Sequence, residues 1–439
     1  MTDPHLIETP YAGLIDGKQA VPGPHVLVSG PTGTGKSRRV LGPGILLWQG
    51  PVVAISSKPD LIKLCLPTKR ARQGAKTYVI DLSGDVPDEQ LRGATRCVVD
   101  PVALLKSPTD ALEMSTILIQ ASKAGGGQSG GGGDAFWDNL ATPPLAAILY
   151  AAGQDGIKWA VEAVGLVDAE EEDGEPVPSW TTAVQRLVDR GEHMLARKLR
   201  SALHLDEKQR SSVLITMDTA LGPWLHGAVR GRGDELVFTP DLLRSRNSSL
   251  FMVAPADGLA AGAAVGLVDT ISKRWRKNQT EAKQLPRILF VVDELCNTLP
   301  WQKLPIVVTE SRAMGINLLV AVQGTSQFSR RFGHDGMTEL RDVFPTVLLL
   351  VGAPEEEMLE RAAKWAGESP SVSSTVDHAG RQSLTTQKTG SVSATSLRPR
   401  SVDEGRLLRG KRPGDTGPGV RPEGVKVDLV DISQMKLLT

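Results

Sequence analysis

A chain of 439 residues is long enough for two or three domains, and its hydrophobic fraction of 40% is that of an ordinary water-soluble core. Its 50 Lys and Arg residues equal its 50 Asp and Glu residues, which excludes a molecule-wide basic field and leaves only local contacts with nucleic acid. The three cysteines, Cys65, Cys97 and Cys296, are far apart, which argues against a disulfide scaffold or thiolate metal site and fits a reducing cytoplasm.

The beginning of the chain shows no targeting or membrane segment. No basic stretch followed by an apolar core is present, so no signal peptide is predicted. The longest uncharged run, from Val40 to Ser57, is interrupted by two Gly-Pro pairs and therefore predicts the end of a helix, a turn and a strand. We expect a chain that does not cross a bilayer by itself.

The stretch that begins at Val26 predicts a nucleotide site. A short apolar strand leads into the spelling G-x-x-x-x-G-K-S, and a helix follows. The glycines let successive backbone N–H groups face one anion at the positive end of that helix. We expect Lys36 to contact the β- and γ-phosphates of ATP, and the Ser37 hydroxyl to ligate Mg²⁺. The expected cofactor-binding residues are Gly30, Pro31, Thr32, Gly33, Thr34, Gly35, Lys36, Ser37 and Arg38.

Seven further apolar runs predict strands of the same sheet. Most are continuously apolar, which is typical of parallel strands covered by helices on both faces. With the strand before the P-loop they make eight, and they predict an α/β fold with a mainly parallel, doubly covered sheet. The runs are Val52–Ser56, Thr77–Leu82, Thr95–Pro101, Leu250–Pro255, Ile288–Asp293, Ile316–Gln323 and Thr346–Gly352.

One region breaks this alternation. From about Leu104 to Arg232 helical patterns replace strands, including one at Leu140–Ala152 and one that starts at Ala183 and continues to Leu203. We expect an all-helical domain inserted into the sheet domain, with surface loops at 125–133 and 168–175. The expected boundaries are 1–103 and 235–368 for the two parts of the sheet domain, 104–234 for the insertion, and 369–439 for a flexible segment and C-terminal arm. Within that last part, 369–396 predicts a hairpin or a linker, and Val425–Val430 a closing strand.

A second group of candidate residues ends the strand at Ile288–Asp293. Asp293 and Glu294 follow a buried run, at the edge where ligands bind in open α/β sheets. Asp293 is then placed to hold Mg²⁺ through water, and Glu294 to polarise the water that attacks the γ-phosphate. Because at least one predicted strand separates the two motifs in sequence, the arrangement resembles the RecA-like division of P-loop proteins.

Two polar residues near the next strand complete the candidate site. Gln323 ends that strand, where its amide either senses the γ-phosphate or is merely solvated. Arg312 either reaches a neighbouring subunit's nucleotide as an arginine finger or pairs within the chain with Glu310 or Asp335. Rival finger candidates are Arg330, Arg331 and Arg341. A finger is worth on the order of 10³ to 10⁵ in turnover, so an isolated subunit is expected to be nearly inert.

The order of these motifs resembles the coupling ATPases of type IV secretion, the TraG/TraD-like conjugative group. The similar segments are Gly30–Ser37, Ser56–Asp60, Phe136–Leu140, Leu250–Pro255, Val291–Glu294, Ser311–Gln323 and Ser396–Gly405. The resemblance implies a RecA-like P-loop domain with a mainly parallel sheet and an inserted all-α domain. It also implies catalytic roles for Lys36 and Glu294, the finger role for Arg312 and the sensor role for Gln323.

The resemblance further implies ATP and Mg²⁺ as cofactors and a ring of six subunits that pumps DNA, single- or double-stranded, with an attached relaxase. Other implied partners are the secretion-channel ATPases and a membrane anchor that holds this cytoplasmic protein at the inner face of the cell membrane. Two features depart from the family. About 25 residues precede the first strand where the family has two transmembrane helices. In the turn Ser56–Asp60 the first acid of the family's pattern is lost, while Lys58 and Asp60 are kept. Lys58 is then either close to the nucleotide or an exposed loop charge.

The nature of the cargo has weaker support in the sequence. The basic cluster Lys273–Lys277 either touches nucleic-acid phosphates or forms the polar end of a helix at Gly258–Trp275. Two other functions remain open. One is a DNA translocase like FtsK or HerA, although no segment resembles the winged helix of FtsK. The other is a docking receptor that selects protein substrates and uses nucleotide only to assemble.

Overall fold

The computed structural model of the chain describes residues 9–123, 132–168, 176–277, 285–311, 313–376, 382–409, 421 and 423–437. Within these residues the strands form one thirteen-stranded sheet and a separate two-stranded sheet. The strands are β1 (Leu14–Ile15), β2 (Lys18–Gln19), β3 (His25–Ser29), β4 (Val52–Ser56), β5 (Lys76–Asp81), β6 (Thr95–Val98), β7 (Leu236–Val237), β8 (Ser248–Val253), β9 (Ile288–Val292), β10 (Ile316–Val322), β11 (Thr346–Leu350), β12 (Glu368–Val376), β13 (Gln382–Gly390), β14 (Glu404–Arg409) and β15 (Val425–Asp428).

The large sheet is parallel through its centre and antiparallel at one edge. The parallel strands follow the order β11, β3, β10, β9, β4, β8, β5, β6, β7, and the antiparallel strands β14, β15, β1 and β2 continue it beyond β11. Every residue of β3, β4, β9, β10 and β11 is buried, because helices cover both faces. All eight predicted strands form, so the predicted mainly parallel sheet is confirmed.

Helices lie on both faces of this sheet. A π-helical turn at Lys36–Leu41 continues directly into α1 (Gly42–Leu47), and we call the two together the P-loop helix. No helix in the described part of the chain has both the length and the apolar character needed to cross a membrane. The remaining helices are α2 (Asp60–Arg70), α3 (Asp88–Leu91), α4 (Pro108–Lys123), α5 (Gly132–Ala152), α6 (Gly156–Gly165), α7 (Trp180–Asp189), α8 (His193–Leu203), α9 (Glu207–Leu221), α10 (Gly227–Arg230), α11 (Ala261–Arg276), α12 (Leu295–Thr298), α13 (Leu304–Glu310), α14 (Gln327–Val343), α15 (Glu356–Trp365) and α16 (Ala394–Leu397).

Helices α4 to α10 fill the chain between β6 and β7 and bury their apolar faces in a core that continues onto the sheet. The predicted α/β class with inserted helices is therefore confirmed, while the domain boundaries at 104 and 234 remain predictions. The expectation of one helix from Ala183 to Leu203 is wrong. The chain breaks into α7 and α8 around Gly191, whose φ of 77° is left-handed and readily adopted by glycine.

The segments after β11 complete the sheet edge. Strands β12 and β13 fall, apart from Glu368, in the segment 369–396 that was predicted as a hairpin or a linker, and they pair antiparallel with each other. The predicted closing strand forms as β15, which pairs with β14 and β1. The two predicted surface loops, 125–133 and 168–175, lie mostly outside the described residues, which lack 125–131 and 169–175. The last two residues of the first loop are helical, because α5 begins at Gly132.

The strand order fixes where the candidate residues meet. In the sheet β10 lies between β3, which precedes the P-loop, and β9, which precedes Asp293. This is the arrangement expected for a RecA-like domain. Because β3, β10, β9 and β4 are parallel neighbours, their carboxyl ends and the loops that follow lie side by side at one edge.

Candidate nucleotide site

The P-loop connects β3 to the P-loop helix through residues 30–35. Gly33 and Gly35 have φ values of 83° and 85°, a left-handed conformation that L side chains rarely adopt. Gly30 is required for another reason, since a Cβ there would lie 2.9 Å from the Cβ of Leu350 on β11. The predicted glycines therefore allow the loop both to turn sharply and to lie tightly against the neighbouring strand.

Lys36, the first residue of the P-loop helix, is only 8% exposed. Its Nζ donates hydrogen bonds to the carbonyl oxygens of Gly30 and Pro31 at 2.6 and 2.9 Å. Burial lowers the pKa of Lys36, and the nearby carboxylates Asp293 and Glu294 act in the opposite direction. The ammonium group is thus held inside its own loop by neutral acceptors, which a phosphate can replace.

Asp293 lies directly beside the start of the P-loop helix. The Ser37 hydroxyl donates to Asp293 Oδ2 at 2.9 Å, whereas the buried Oδ1 accepts no hydrogen bond from any described residue. Burial raises the pKa of Asp293, while the Ser37 hydrogen bond counteracts this and the charge of Glu294 adds to it. A buried, unpaired carboxylate oxygen next to a hydroxyl is a donor set suited to Mg²⁺, so these residues fit that cation.

Glu294 and Gln323 also meet at this edge. Glu294 has a left-handed backbone, with φ 52° and ψ 51°, which directs the chain into α12 immediately after β9. Gln323 Nε2 donates to Glu294 Oε1 at 3.5 Å, across the ends of two adjacent strands. The structure therefore brings together Lys36, Ser37, Asp293, Glu294 and Gln323, as expected from the sequence, although their chemical roles remain predictions.

An open cleft of about 490 Å³ lies over these residues. It is lined by Thr32, Gly33, Gly35, Lys36, Ser37, Arg38, Ser56, Ser57, Lys58, Asp60, Lys63, Leu64, Asp293 and Glu294. Lys58, which the sequence placed either close to the nucleotide or in an exposed loop, lies on the wall of this cleft as an exposed side chain. Lys63 was not predicted. It follows Asp60 by three residues at the start of α2, so helical periodicity after the β4 turn was the available signal.

Three of the predicted cofactor-binding residues do not line the cleft. Gly30, Pro31 and Thr34 form the back of the loop, where the Thr34 hydroxyl donates to the Pro31 carbonyl at 2.9 Å. Arg38 lies at the rim and makes a bidentate ion pair with Asp431 at 2.9 and 2.7 Å. This pair holds the pKa of Asp431 well below its usual range. Any contact of Arg38 with a nucleotide therefore competes with Asp431.

The arginine-finger candidates differ in their surroundings. Arg312 lies outside the described residues, and its alternative partner Glu310 contacts Arg276 at 3.4 Å. Arg331 donates from Nε to the Cys296 carbonyl at 2.8 Å. Arg341 is paired with Thr325 and Glu357. Arg330 is exposed and forms no salt bridge with any residue that the structure describes.

The basic cluster at Lys273–Lys277 is largely neutralised within the chain. Lys273 pairs with Glu113 and Asp269, Arg274 with Asp241, and Arg276 with Glu310. Trp275 is fully buried and its indole N–H donates to the Pro286 carbonyl at 2.9 Å. Of the two alternatives stated above, these contacts favour the polar end of a helix, and α11 indeed ends at Arg276.

Solved structures of conjugative coupling proteins are similar in fold to this chain. The bacterial conjugative coupling protein TrwBdeltaN70, in its unbound monoclinic form, is similar in structure with a TM-score of 0.63 and 16% identity, covering 97% of this chain and 89% of that chain. The plasmid coupling protein TrwB in complex with the non-hydrolysable ATP analogue ADPNP is similar with a TM-score of 0.61 and 17% identity, over 97% of this chain and 89% of that chain. TrwB in complex with ADP and Mg²⁺ is similar with a TM-score of 0.61 and 16% identity, over 97% of this chain and 90% of that chain.

No curated protein matches the chain. At identities this low, the likeness to TrwB shows the fold alone, and it confirms the predicted RecA-like architecture with an all-α domain. A family model described as Type IV secretory system conjugative DNA transfer matches residues 8–400, which is most of the chain. The resemblance inferred from the motifs is confirmed, and the chain belongs to the type IV secretory system conjugative DNA transfer family.

Proposed function

We propose that this chain is an ATP-hydrolysing motor that moves DNA, with an attached relaxase, into a type IV secretion or conjugation channel. One observation carries the proposal. Ser37 of the P-loop helix contacts Asp293 across the cleft, and the second oxygen of that carboxylate is buried without a partner. The complexes of TrwB with ADPNP and with ADP and Mg²⁺ support the same nucleotide and cation here.

Each residue of the cleft has a distinct task in this mechanism. Lys36 exchanges the carbonyls of Gly30 and Pro31 for phosphate oxygens, which places its charge where negative charge develops. Ser37 and Asp293 would hold Mg²⁺, which when bound would neutralise phosphate charge. Glu294 accepts the proton of the attacking water, and Gln323, within 3.5 Å, orients that carboxylate.

Among the described residues, the cations that line the cleft are Lys36, Arg38, Lys58 and Lys63, all from the P-loop helix, the turn after β4 and α2. We propose that a neighbouring subunit supplies a guanidinium, from Arg312 or from the exposed Arg330, in a ring of six. The salt bridges and hydrogen bonds of Arg331 and Arg341 make these two less suitable, because each would have to leave its partners. The secretion-channel ATPases and a membrane-anchoring partner complete the proposed assembly, at the inner face of the cell membrane.

The test is the ATPase rate of the purified protein, measured with and without single- and double-stranded DNA, together with the mass of the nucleotide-bound assembly. We expect DNA to stimulate turnover. Lys36→Ala should lose nucleotide binding, whereas Glu294→Gln should bind ATP normally and lose turnover by about 10² or more. Nucleotide-dependent assembly without turnover would overturn the motor and leave a docking receptor.

A further inference from the structure

A buried carboxylate that sequence analysis did not identify lies beneath the P-loop. Glu355, immediately before α15, is only 2% exposed. It accepts three hydrogen bonds, from the Ser29 hydroxyl at 2.7 Å and from the backbone N–H and the hydroxyl of Thr325, each at 2.6 Å. A buried charge is costly unless it is this fully paired, so the site holds Glu355 firmly in one position.

The partners of Glu355 belong to two different parts of the candidate site. Ser29 is the last residue of β3 and directly precedes Gly30 of the P-loop. Thr325 follows Gln323 by two residues, in the loop between β10 and α14. The strands themselves are joined there by one further bond, from the Gly30 N–H to the Val322 carbonyl at 3.2 Å. Glu355 thus cross-links the start of the P-loop to the loop that carries Gln323.

Arg341 belongs to the same network. Its Nε donates to the Thr325 hydroxyl at 2.7 Å, and its Nη2 lies 3.8 Å from Glu355. The Thr325 hydroxyl therefore accepts from Arg341 while it donates to Glu355, which fixes its orientation. Arg341, which lies on α14, stabilises the Glu355 carboxylate, so its contacts are made within its own subunit.

We propose that Glu355 is a positioning residue for nucleotide hydrolysis, which fixes the distance between the P-loop and Gln323. The inference rests on the proposed function and extends it, because it makes Glu355 the residue that connects phosphate binding at the P-loop to Gln323, which orients Glu294. A phosphate that displaces the P-loop moves Ser29, and the shared carboxylate passes this movement to Thr325 and its loop. Nucleotide binding should therefore depend little on Glu355, whereas turnover should depend on it strongly.

The decisive variant is Glu355→Gln, which keeps the size of the side chain but loses the charge and one of two acceptor oxygens. We expect kcat to fall by about tenfold while the dissociation constant of ATP changes less than about threefold. If Glu355 acts through Gln323, the double variant with Gln323→Ala should be no slower than Gln323→Ala alone. If the losses of kcat in the two single variants multiply in the double variant, or if kcat is unchanged in Glu355→Gln, the proposal is overturned.

A matched control distinguishes positioning from mere stability. Asp81 at the end of β5 is also buried, at 6% exposure, and accepts backbone N–H bonds from Ser83, Gly84 and Val86. Asp81→Asn should lower the thermal midpoint about as much as Glu355→Gln does, but leave kcat unchanged. An equal loss of kcat in both variants would reduce Glu355 to a structural residue.

A second readout does not depend on turnover. In the wild type, a non-hydrolysable ATP analogue should change the hydrogen exchange of the amides at 323–327, and Glu355→Gln should abolish that response while the analogue still binds. If the wild type binds the analogue but never hydrolyses ATP, the proposed motor fails and this exchange experiment alone decides the role of Glu355. A response that is identical in both proteins would overturn the cross-link.

Discussion

Glu294 combines the expected catalytic carboxylate with an unfavourable backbone. Its φ of 52° and ψ of 51° are left-handed, a conformation that costs an L-residue about 1–2 kcal/mol. Glycine adopts it without this cost, yet a glycine has no carboxylate to offer to the cleft. Strained residues of this kind cluster at functional sites, where the surrounding structure holds them in place. The sequence carried no sign of this strain, because β9 alone does not determine the turn that follows it.

Glu294→Gly should therefore make the protein more stable and inactive. We expect the free energy of unfolding to rise by about 1 kcal/mol, since the left-handed strain is relieved, and ATP turnover to disappear. Differential scanning calorimetry and an ATPase assay measure the two effects. Arg92, which is exposed and has φ 47° at the end of α3, provides the control. Arg92→Gly should gain similar stability at full activity; a Glu294→Gly protein that melts lower than wild type would contradict the strain argument.

Lys69 is a buried cation without a carboxylate partner among the described residues. It is 2% exposed, and its Nζ donates to the Trp48 carbonyl at 3.2 Å, at the end of the P-loop helix. Burial lowers the pKa of Lys69 to about 7, and the charge of Arg72 contributes. The unfolded chain keeps this proton up to about pH 10, so above pH 7 the unfolded state binds more protons than the folded state. Folding stability from this group is therefore lowest in acid and rises with pH above about 7.

Lys69→Met should remove this pH dependence. Between about pH 7 and 8 we expect the wild type to gain up to ~1.4 kcal/mol more than the variant, because methionine fills the space without a proton to lose. The Trp48 carbonyl stays paired in the variant through Arg72, at 3.0 Å. Thermal midpoints of both proteins at each pH give the difference in stability. Parallel curves for the two proteins would refute the assignment.

At the scale of elements, the central strands and the closing strand β15 could be predicted, whereas β1, β2, β7 and β14 could not. The strands β3, β4, β9, β10 and β11 are buried on both faces, so their sequences are continuously apolar. The edge strands β1, β2 and β7 have two residues each, too few for any periodicity. β14 (Glu404–Arg409) has two adjacent leucines and no apolar–polar alternation in sequence, and it lies within a basic, proline-containing stretch.

The site shows the same division between local and distant contacts. Lys36, Ser37, Asp293 and Glu294 could be predicted because a P-loop and an acid pair after a strand are local patterns. Glu355 could not, since it meets Ser29 only after 326 residues of chain have folded. No local pattern distinguishes it from the exposed acids Glu356 and Glu357 that follow it. Long-range hydrogen bonds of this kind become visible only in the folded chain.

The P-loop helix depends on close packing against β10. A Cβ at Gly44 would lie 2.5 Å from Leu319 Cδ2, and Leu319 is fully buried. Gly44→Ala should therefore destabilise the protein by about 1–3 kcal/mol through overpacking and weaken nucleotide binding by shifting Lys36. Calorimetry and nucleotide titration measure these effects.

The control for this variant is another helical glycine. At Gly262 on α11 an added Cβ would approach no atom closer than 3.5 Å, the Pro223 Cγ. Gly262→Ala should be neutral or stabilising by up to ~1 kcal/mol, because alanine favours a helix, and nucleotide affinity should not change. If Gly44→Ala is as neutral or stabilising as Gly262→Ala, helix propensity and not the contact with Leu319 governs position 44.

At the scale of the whole molecule, charge is balanced in total and also locally where a DNA contact was considered. The chain carries 50 basic and 50 acidic residues, and Lys273, Arg274 and Arg276 are paired with acids of the same chain. A single subunit therefore offers little long-range attraction for DNA from this cluster. A ring brings several copies of any weaker cationic surface to one strand, which raises effective affinity without new contacts. Arg197, Lys198 and Arg200 on α8 are exposed and form one such cationic surface.

The proposed ring predicts how inactive subunits affect active ones. If each cleft needs a guanidinium from its neighbour and subunits hydrolyse ATP in turn, a Lys36→Ala subunit should stop more than its own cleft. Mixing equal amounts of wild type and Lys36→Ala before adding ATP and DNA should leave the ATPase rate well below half. Mixing with Arg92→Gly, a substitution outside the residues that line the cleft, should leave the rate unchanged. A rate that follows the wild-type fraction linearly would contradict hydrolysis in turn around the ring, because independent subunits keep their own turnover beside an inactive neighbour.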